Sequence, residues 1–397
     1  MTSMFESLKP APPDAILGLS EAFQADPSPT KINLAVGVFK DAAGRTPVLD
    51  CVKKAERRLV ETETTKTYLG IDGLPDYRNR ARDLVFGNDV ASDRIAIVQT
   101  PGGTGGVRVA ADFLAGHFPQ TTVWVSNPTW ENHINIFNAA GLGSETYRYL
   151  DASKTRLDFE AMLADLESKT RRGDAVLLHA CCHNPTGVDL TAAQWEILAD
   201  LISRRGLVPL VDFAYQGFGD GLEEDRIGLK ALLSRCDELL VASSFSKNFG
   251  LYSERVGTAA VVAGEARAAT AALSQLKRAI RSNYSNPPRH GAAVVATILG
   301  DAELRRVWED ELTAMRERIG RVRGELVEAL RAAGAKRDFG FLSDQKGMFS
   351  YTGLNPMQCD RLRSEHSIYI VGSGRINVAG ITSDNLGPLT DAILKVL

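Results

Sequence analysis

The sequence predicts an α/β fold: a large domain with a mostly parallel sheet wrapped by helices, plus a smaller α+β domain. Three observations carry that expectation. From about Leu49 to Glu309, short apolar runs alternate with longer periodic segments, the pattern of strands alternating with helices. Several apolar runs stop abruptly in polar or glycine-rich residues, where open α/β sheets place their ligand crevice. The 397 residues, 44% hydrophobic and 24% charged, suffice for a large domain and a smaller one with a substantial core.

Taken in chain order, Lys31–Val36 reads as a strand that joins the smaller domain. That domain is then discontinuous, 1–48 with an N-terminal arm plus 310–397, and the large domain is 49–309. Ile95–Val98 reads as a strand and Val107–Leu114 as a helix, with Pro101-Gly102-Gly103-Thr104-Gly105-Gly106 between them. Glycines let the backbone approach an anion, and a helix N-terminus favours negative charge. The run lacks the third glycine of a dinucleotide fingerprint and the Gly-Lys-Ser/Thr of a P-loop, so a single phosphate matches best. Strand Thr122–Val125, helix Glu131–Ala140, strand Thr146–Tyr149 and helix Phe159–Leu166 continue the alternation. The strand Ala175–Ala180 leads to the turn Asn184-Pro185-Thr186-Gly187, and Leu207–Val211 leads to Asp212 and Tyr215. Residues 301–333 are charged, periodic and free of proline, which predicts one long or two short helices. Met348–Tyr351, Ile368–Val371 and Ile376–Val378 are short strands of the smaller domain.

The strand Glu238–Ser243 leads to the most informative residues, Ser244-Phe245-Ser246-Lys247 followed by Arg255. A lysine in a partly dry pocket has its ammonium form disfavoured, so its amine can attack a carbonyl. Ser244, Ser246 and Arg255 can bind an anion beside it. An amine next to an anion site suits pyridoxal 5'-phosphate, an aldehyde that carries a phosphate. Asp212 can hold a protonated pyridine nitrogen, and Tyr215 and Asn184 can reach the ring oxygen. Arg375, opening an apolar strand, can grip a carboxylate bidentately. Taken alone, each has an ordinary alternative: a surface lysine, a turn-capping aspartate, a surface arginine. Their conjunction favours the site.

The run His179-Ala180-Cys181-Cys182-His183 invites a metal, but no second cluster completes a structural site, and none is expected. A net charge of -3 with both signs dispersed argues against nucleic acid and anionic membranes. No apolar run reaches membrane-spanning length, and five cysteines do not suggest a disulfide framework, so a cytoplasmic setting is expected. Ser244–Lys247 with Ser383-Asp384-Asn385 imitates two elements of serine β-lactamases, but the third, Lys-Thr-Gly, is absent. A non-enzymatic cofactor-binding regulator lacks an added DNA-binding segment here.

Together, Asn127–Trp130, Cys182–Gly187, Asp212–Phe218, Ser243–Gly257 and Tyr284–Pro288 resemble the class I aminotransferases, in particular the bacterial aspartate and aromatic amino acid subgroup. The resemblance spans the chain from Asp14–Leu19 to Arg375–Gly380. It implies fold type I and a ping-pong cycle on pyridoxal 5'-phosphate. In that cycle Lys247 bonds the cofactor and moves the proton. Asp212 would pair with the ring nitrogen, backed by His133. Asn184 and Tyr215 would bind the ring oxygen, and Trp130 would stack on the ring. Gly102, Gly103, Thr104, Ser244, Ser246 and Arg255 would hold the phosphate. Gly102 departs from the serine that many relatives carry, so one side-chain phosphate contact is expected to be missing. Trp130 and Asn184 would also face the substrate, whose α-carboxylate Arg375 would grip beside Gly37 on a lid. Tyr68 and Arg281 would reach in from the second subunit of a homodimer, Arg281 to the distal carboxylate. Asn127-Pro128 and Asn184-Pro185 are expected to be cis. Val38, Lys40, Thr46, Thr104 and Asn286 look like the aspartate branch, and Glu131 and Met348–Gly353 like the aromatic one. Thr67 matches neither. The balance leans to aspartate with 2-oxoglutarate, and an aromatic amino acid aminotransferase is the alternative.

Overall fold

A computed structural model describes residues 5–10 and 17–397. Of the N-terminal stretch that carries the resemblance, Asp14–Ile16 lies outside the described residues, as does part of the expected arm. Eleven strands are seen among the described residues. In chain order they are β1 (Ile32–Asn33), β2 (Ile95–Pro101), β3 (Thr122–Asn127), β4 (Gly143–Arg148), β5 (Ala175–His179), β6 (Val208–Phe213), β7 (Leu239–Ser244), β8 (Val256–Val262), β9 (Phe349–Tyr351), β10 (Ile368–Tyr369) and β11 (Arg375–Asn377).

Seven strands form the main sheet in the order β2-β8-β7-β6-β5-β3-β4. The pairs from β4 to β7 are parallel, and β8 runs antiparallel to both of its neighbours. Strands β5 and β7 are buried along their whole length, as expected of strands covered on both faces by crossover helices. The reversal at β8 matters for the site. Its first residues lie beside the ends of β2 and β7, with Pro101 opposite Val256 and Ser244 opposite Gly257. The loop 245–255, which carries Lys247, therefore leaves and re-enters the sheet at one edge.

The glycine run does not precede its helix, as the sequence suggested, but forms the first turns of Gly102–His117. The reason is close packing against the sheet: a Cβ on Gly106 would stand 2.5 Å from the carbonyl oxygen of Thr258. Two small sheets complete the fold, β1 parallel to β10 and β9 antiparallel to β11. The early strand thus pairs with a strand more than three hundred residues later.

Residues 301–333 resolve into one helix, Ala302–Ala332, which runs through the expected boundary at 309–310. Asp301 caps it, accepting from the amides of Glu303 and Leu304. Leu304, Trp308, Leu312, Met315, Ile319, Val322 and Leu326 recur at three- and four-residue spacing and bury one stripe. Within that stripe Trp308 stacks on Phe249 with ring centroids 4.4 Å apart, and its Nε1 donates to the Asn248 carbonyl at 2.7 Å. This long helix therefore clamps the loop beside Lys247. The Ser383-Asp384-Asn385 run is the start of helix Ser383–Val396, where Asn385 Oδ1 accepts the Thr382 amide.

Trp308→Ala is expected to cost about 3–5 kcal/mol, as for other buried aromatic truncations. Trp308→Phe, which keeps the stack and loses one hydrogen bond, should cost ~1 kcal/mol for the bond plus the lost volume. Urea unfolding at fixed protein concentration checks both, and equal losses would contradict the stacking account.

Candidate active site

The C-terminal ends of β5, β6 and β7 open onto a cleft of about 230 Å³. Its lining contains Gly37, Gly103, Thr104, Trp130, Asn184, Asp212, Tyr215, Ser244, Ser246, Lys247, Arg255 and Arg375, all singled out by the sequence. Ala214, Tyr252 and Phe349 also line it and were not singled out. Gly102 and His133 stand just behind the lining residues. Tyr68 and Arg281 do not line the cleft of this chain: both are exposed, and Arg281 hydrogen-bonds to Ser285 at the end of helix Ala266–Asn283.

Lys247 is half-buried, with its Nζ 4.7 Å from the centre of the Tyr215 ring. Burial pushes its amine down to about 8, with Arg255 adding to the shift and Asp212 opposing it. The result is a lysine with a sizeable free-amine fraction near neutral pH. Asp212 is buried at the end of β6, its Oδ2 2.9 Å from His133 Nε2. Burial alone would raise this carboxyl. The His133 hydrogen bond and the nearby Lys247 ammonium outweigh it and hold the carboxyl below its usual value. Thr129 Oγ1, 2.9 Å from His133 Nδ1, fixes the imidazole from the other side. The Trp130 ring meets His133 edge-on at 5.1 Å.

The anion-binding character arises at the β2, β7 and β8 edge. Gly103 and Thr104 lie in the first turn of the helix Gly102–His117 and line the cleft, and the first amides of a helix have no partner within it. Arg255, at φ +55, turns back so that its guanidinium donates to Ser246 Oγ at 3.3 Å and to the Tyr252 carbonyl at 3.0 Å. No acidic side chain pairs with Arg255 among the described residues, so its charge is available to a bound anion.

Across the cleft, Arg375 is 4% exposed. Its Nη2 donates to the Ala35 carbonyl at 2.6 Å, its Nη1 lies 3.5 Å from Asn184 Oδ1, and its guanidinium stacks over Phe349 at 4.3 Å. Its Nε has no partner. A buried guanidinium without a carboxylate is costly unless a ligand supplies one. Gly37 has no room for a side chain, since a Cβ there would stand 2.6 Å from Phe349 Cζ. Tyr252 Oη accepts the Phe39 amide at 2.9 Å, tying the Gly37 segment to the Lys247 loop.

Behind Asp212, His133, His179 and His183 pack in series, with ring centroids 5.3 and 4.2 Å apart. Burial pushes His179 down to about 3, so it is neutral. Cys181 and Cys182 lie beyond the end of β5, where strand alternation no longer separates them, and their sulfurs approach the Asp225 carboxylate. Both Asn-Pro bonds, 127–128 and 184–185, are cis, as expected.

A parallel-sheet edge that gathers an activated lysine, an opposed carboxylate, an anion cradle and a buried arginine defines the fold-type I pyridoxal phosphate enzymes. Residues 29–393 match the family model described as aminotransferase class I and II, and the chain belongs to that family. It is 56% identical to an aspartate aminotransferase of Salmonella typhi, over 99% of this chain and 100% of that one. It is 50% identical to an aromatic-amino-acid aminotransferase of Pseudomonas aeruginosa, over 99% of each chain. The aromatic-amino-acid aminotransferase from Burkholderia pseudomallei, solved covalently bound to pyridoxal phosphate, superposes with a TM-score of 0.96 at 46% identity over 100% of both chains.

Competitive acetylation followed by mass spectrometry of the cofactor-free protein should show Lys247 labelling half-maximal near pH 8. Surface lysines should follow at about pH 10.4. A Lys247 midpoint at the surface value would show that the cleft does not desolvate the amine.

Proposed function

We propose that the protein is an aspartate aminotransferase that passes the amino group of L-aspartate to 2-oxoglutarate in a ping-pong cycle on pyridoxal 5'-phosphate. The observation that carries this reading is the pairing of a half-buried Lys247 with a buried Asp212 across one cleft, with Arg375 facing them unpaired. The donor set fits the cofactor. Arg255, Ser244, Ser246 and the amides of Gly102, Gly103 and Thr104 suit its phosphate. Asn184 and Tyr215 suit its ring oxygen, and Trp130 suits a ring face. When bound, the cofactor supplies an electron sink for the substrate's α-carbon. Lys247 then holds and moves the proton at that carbon. Asp212, kept ionised by His133, fixes a positive charge on the ring nitrogen. Arg375 orients the substrate through its α-carboxylate, which every substrate shares, and Gly37 lets the lid pass close to Phe349.

In this reading the working unit is a homodimer. Tyr68 and Arg281 are exposed and do not line this chain's cleft, and a second copy would supply them to complete each site. Arg281 then reads the distal carboxylate of aspartate or 2-oxoglutarate. The division into residues 49–309 and 1–48 with 310–397 is retained as a proposal, supported by the pairing of β1 with β10. A cytoplasmic setting accords with cysteines that form no disulfide among the described residues. The aromatic amino acid reading stays as the second choice, favoured by Glu131 beside Arg375 and Tyr351, and by the high identity to an aromatic relative.

Arg281→Leu should lower kcat/KM for aspartate on the order of a hundredfold. A charged hydrogen bond is worth about 1.5–3 kcal/mol and about 1.4 kcal/mol is tenfold. Phenylalanine turnover should hold or improve. Mixing Arg281→Leu with inactive Lys247→Ala subunits should regenerate one intact site per heterodimer and restore aspartate turnover. Equal losses for both substrates would oppose the specificity role, and no recovery after verified exchange would oppose the shared site.

A further inference from the structure

We propose that Asp189 is the positioning residue that aims Asn184 into the cleft. This rests on the reading that Asn184 faces the ring oxygen of the cofactor. Asp189 does not line the cleft, so it acts through the chain. Its Oδ2 accepts the Cys182 amide at 2.7 Å and its Oδ1 accepts the His183 amide at 2.8 Å. Both carboxylate oxygens are thus taken by the two amides that immediately precede Asn184. Two successive amides converging on one anion form a backbone nest, which needs one residue in a left-handed conformation. Cys182 is that residue, at φ +51. A residue with a Cβ adopts this conformation only when its surroundings enforce it.

The rest of the turn closes without Asp189. The Gly187 amide donates to the His183 carbonyl at 2.7 Å, the Val188 amide donates to Thr186 Oγ1 at 3.1 Å, and Thr186 Oγ1 lies 2.8 Å from His183 Nδ1. Those bonds fix residues 183–188 as a unit. Tyr149 Oη donates to the Val188 carbonyl at 2.7 Å, the Lys346 amide donates to the Gly187 carbonyl at 2.6 Å, and Ser126 Oγ lies 2.9 Å from His183 Nε2, so the far side of the unit is held as well. At the Asn184 end, the Asp189 carboxylate is the side chain that ties the turn to the amide of Cys182, the left-handed residue on which the tilt of Asn184 hinges. On the other side, the backbone of Gly347 crowds Cys182, where even a single added carbon would stand 2.4 Å from its Cβ. The tilt then sets two contacts at once. Asn184 Oδ1 is directed to Arg375, which leaves its amide nitrogen for the cleft. Burial and the nearby Asp225 push the Asp189 carboxyl up to about 6, while the two amides and Lys346 pull it back.

The test uses the holoenzyme reconstituted with pyridoxal 5'-phosphate and reads the pH midpoint of the bound cofactor's absorbance change. A donor to the ring oxygen stabilises its anionic form, so losing that donor moves the midpoint upward. Asn184→Ala is expected to raise it by about one pH unit, a tenfold change. Asp189→Ala should raise it comparably, Asp189→Asn by less, since one acceptor oxygen remains. The Asn184→Ala/Asp189→Ala double variant should shift no further than Asn184→Ala alone. A wild-type midpoint in Asn184→Ala would overturn the cofactor-site reading and this inference with it. A shifted midpoint in Asn184→Ala with wild-type midpoints in the folded Asp189 variants would overturn the inference alone, as would fully additive shifts. If Asp189→Ala does not fold, Asp189→Asn carries the test, and an unshifted midpoint in it overturns the inference.

Discussion

The site depends on where strands stop. In a parallel sheet the hydrogen-bond register brings neighbouring strand ends to one edge, and here His179 lies opposite Asp212 while Phe213 lies opposite Ser243. The carboxylate of β6 and the loop after β7 therefore meet without any dedicated contact between them. The reversal of β8 adds Arg255 and the helix beginning at Gly102 to the same edge, because Pro101, Val256, Ser244 and Gly257 are mutual neighbours. An amine, a carboxylate and an anion cradle thus follow from strand register. A slip of one residue in β7 would turn Ser244 from the cradle to the opposite face.

Charge is kept in this cleft at a cost. Lys247, Asp212, Arg255 and Arg375 crowd one partly dry space, yet none is neutralised by a close salt bridge within the chain. Asp212 has a histidine, Arg255 has hydroxyl and carbonyl oxygens, and Arg375 has a carbonyl and an aromatic face. Neutral partners orient a charged group without satisfying its charge. Under the proposed function, the complementary charges would come from the phosphate and pyridinium of the cofactor and the α-carboxylate of the substrate.

Much of this was legible in the sequence because motifs sit at strand ends. Asp212, Lys247, Arg255 and Arg375 each follow or open a recognisable apolar run. What escaped is what depends on distant contacts. Tyr252 lies within the lysine motif, but its bond to Phe39 joins residues 213 positions apart. Phe349 matters through Arg375 and Gly37, which only the small sheets bring together. Asp189 follows the Asn-Pro turn, where its spacing resembles an ordinary surface aspartate. Trp308 was visible as one apolar position in a long periodic segment, and nothing in that period shows that it stacks on Phe249. The glycine run stands ahead of the apolar helical period that starts at Val107, and glycine disfavours helices, so its place in the first turns is not visible in the sequence. Close packing against β8 overrides that preference.

The account stands or falls on the covalent role of Lys247. Borohydride reduction of the holoenzyme, followed by peptide mapping, tests it most directly. The account predicts a single pyridoxyl label on the peptide containing Lys247, absent from Lys247→Ala protein. A label on any other lysine, or none on a protein that retains bound cofactor, would contradict it.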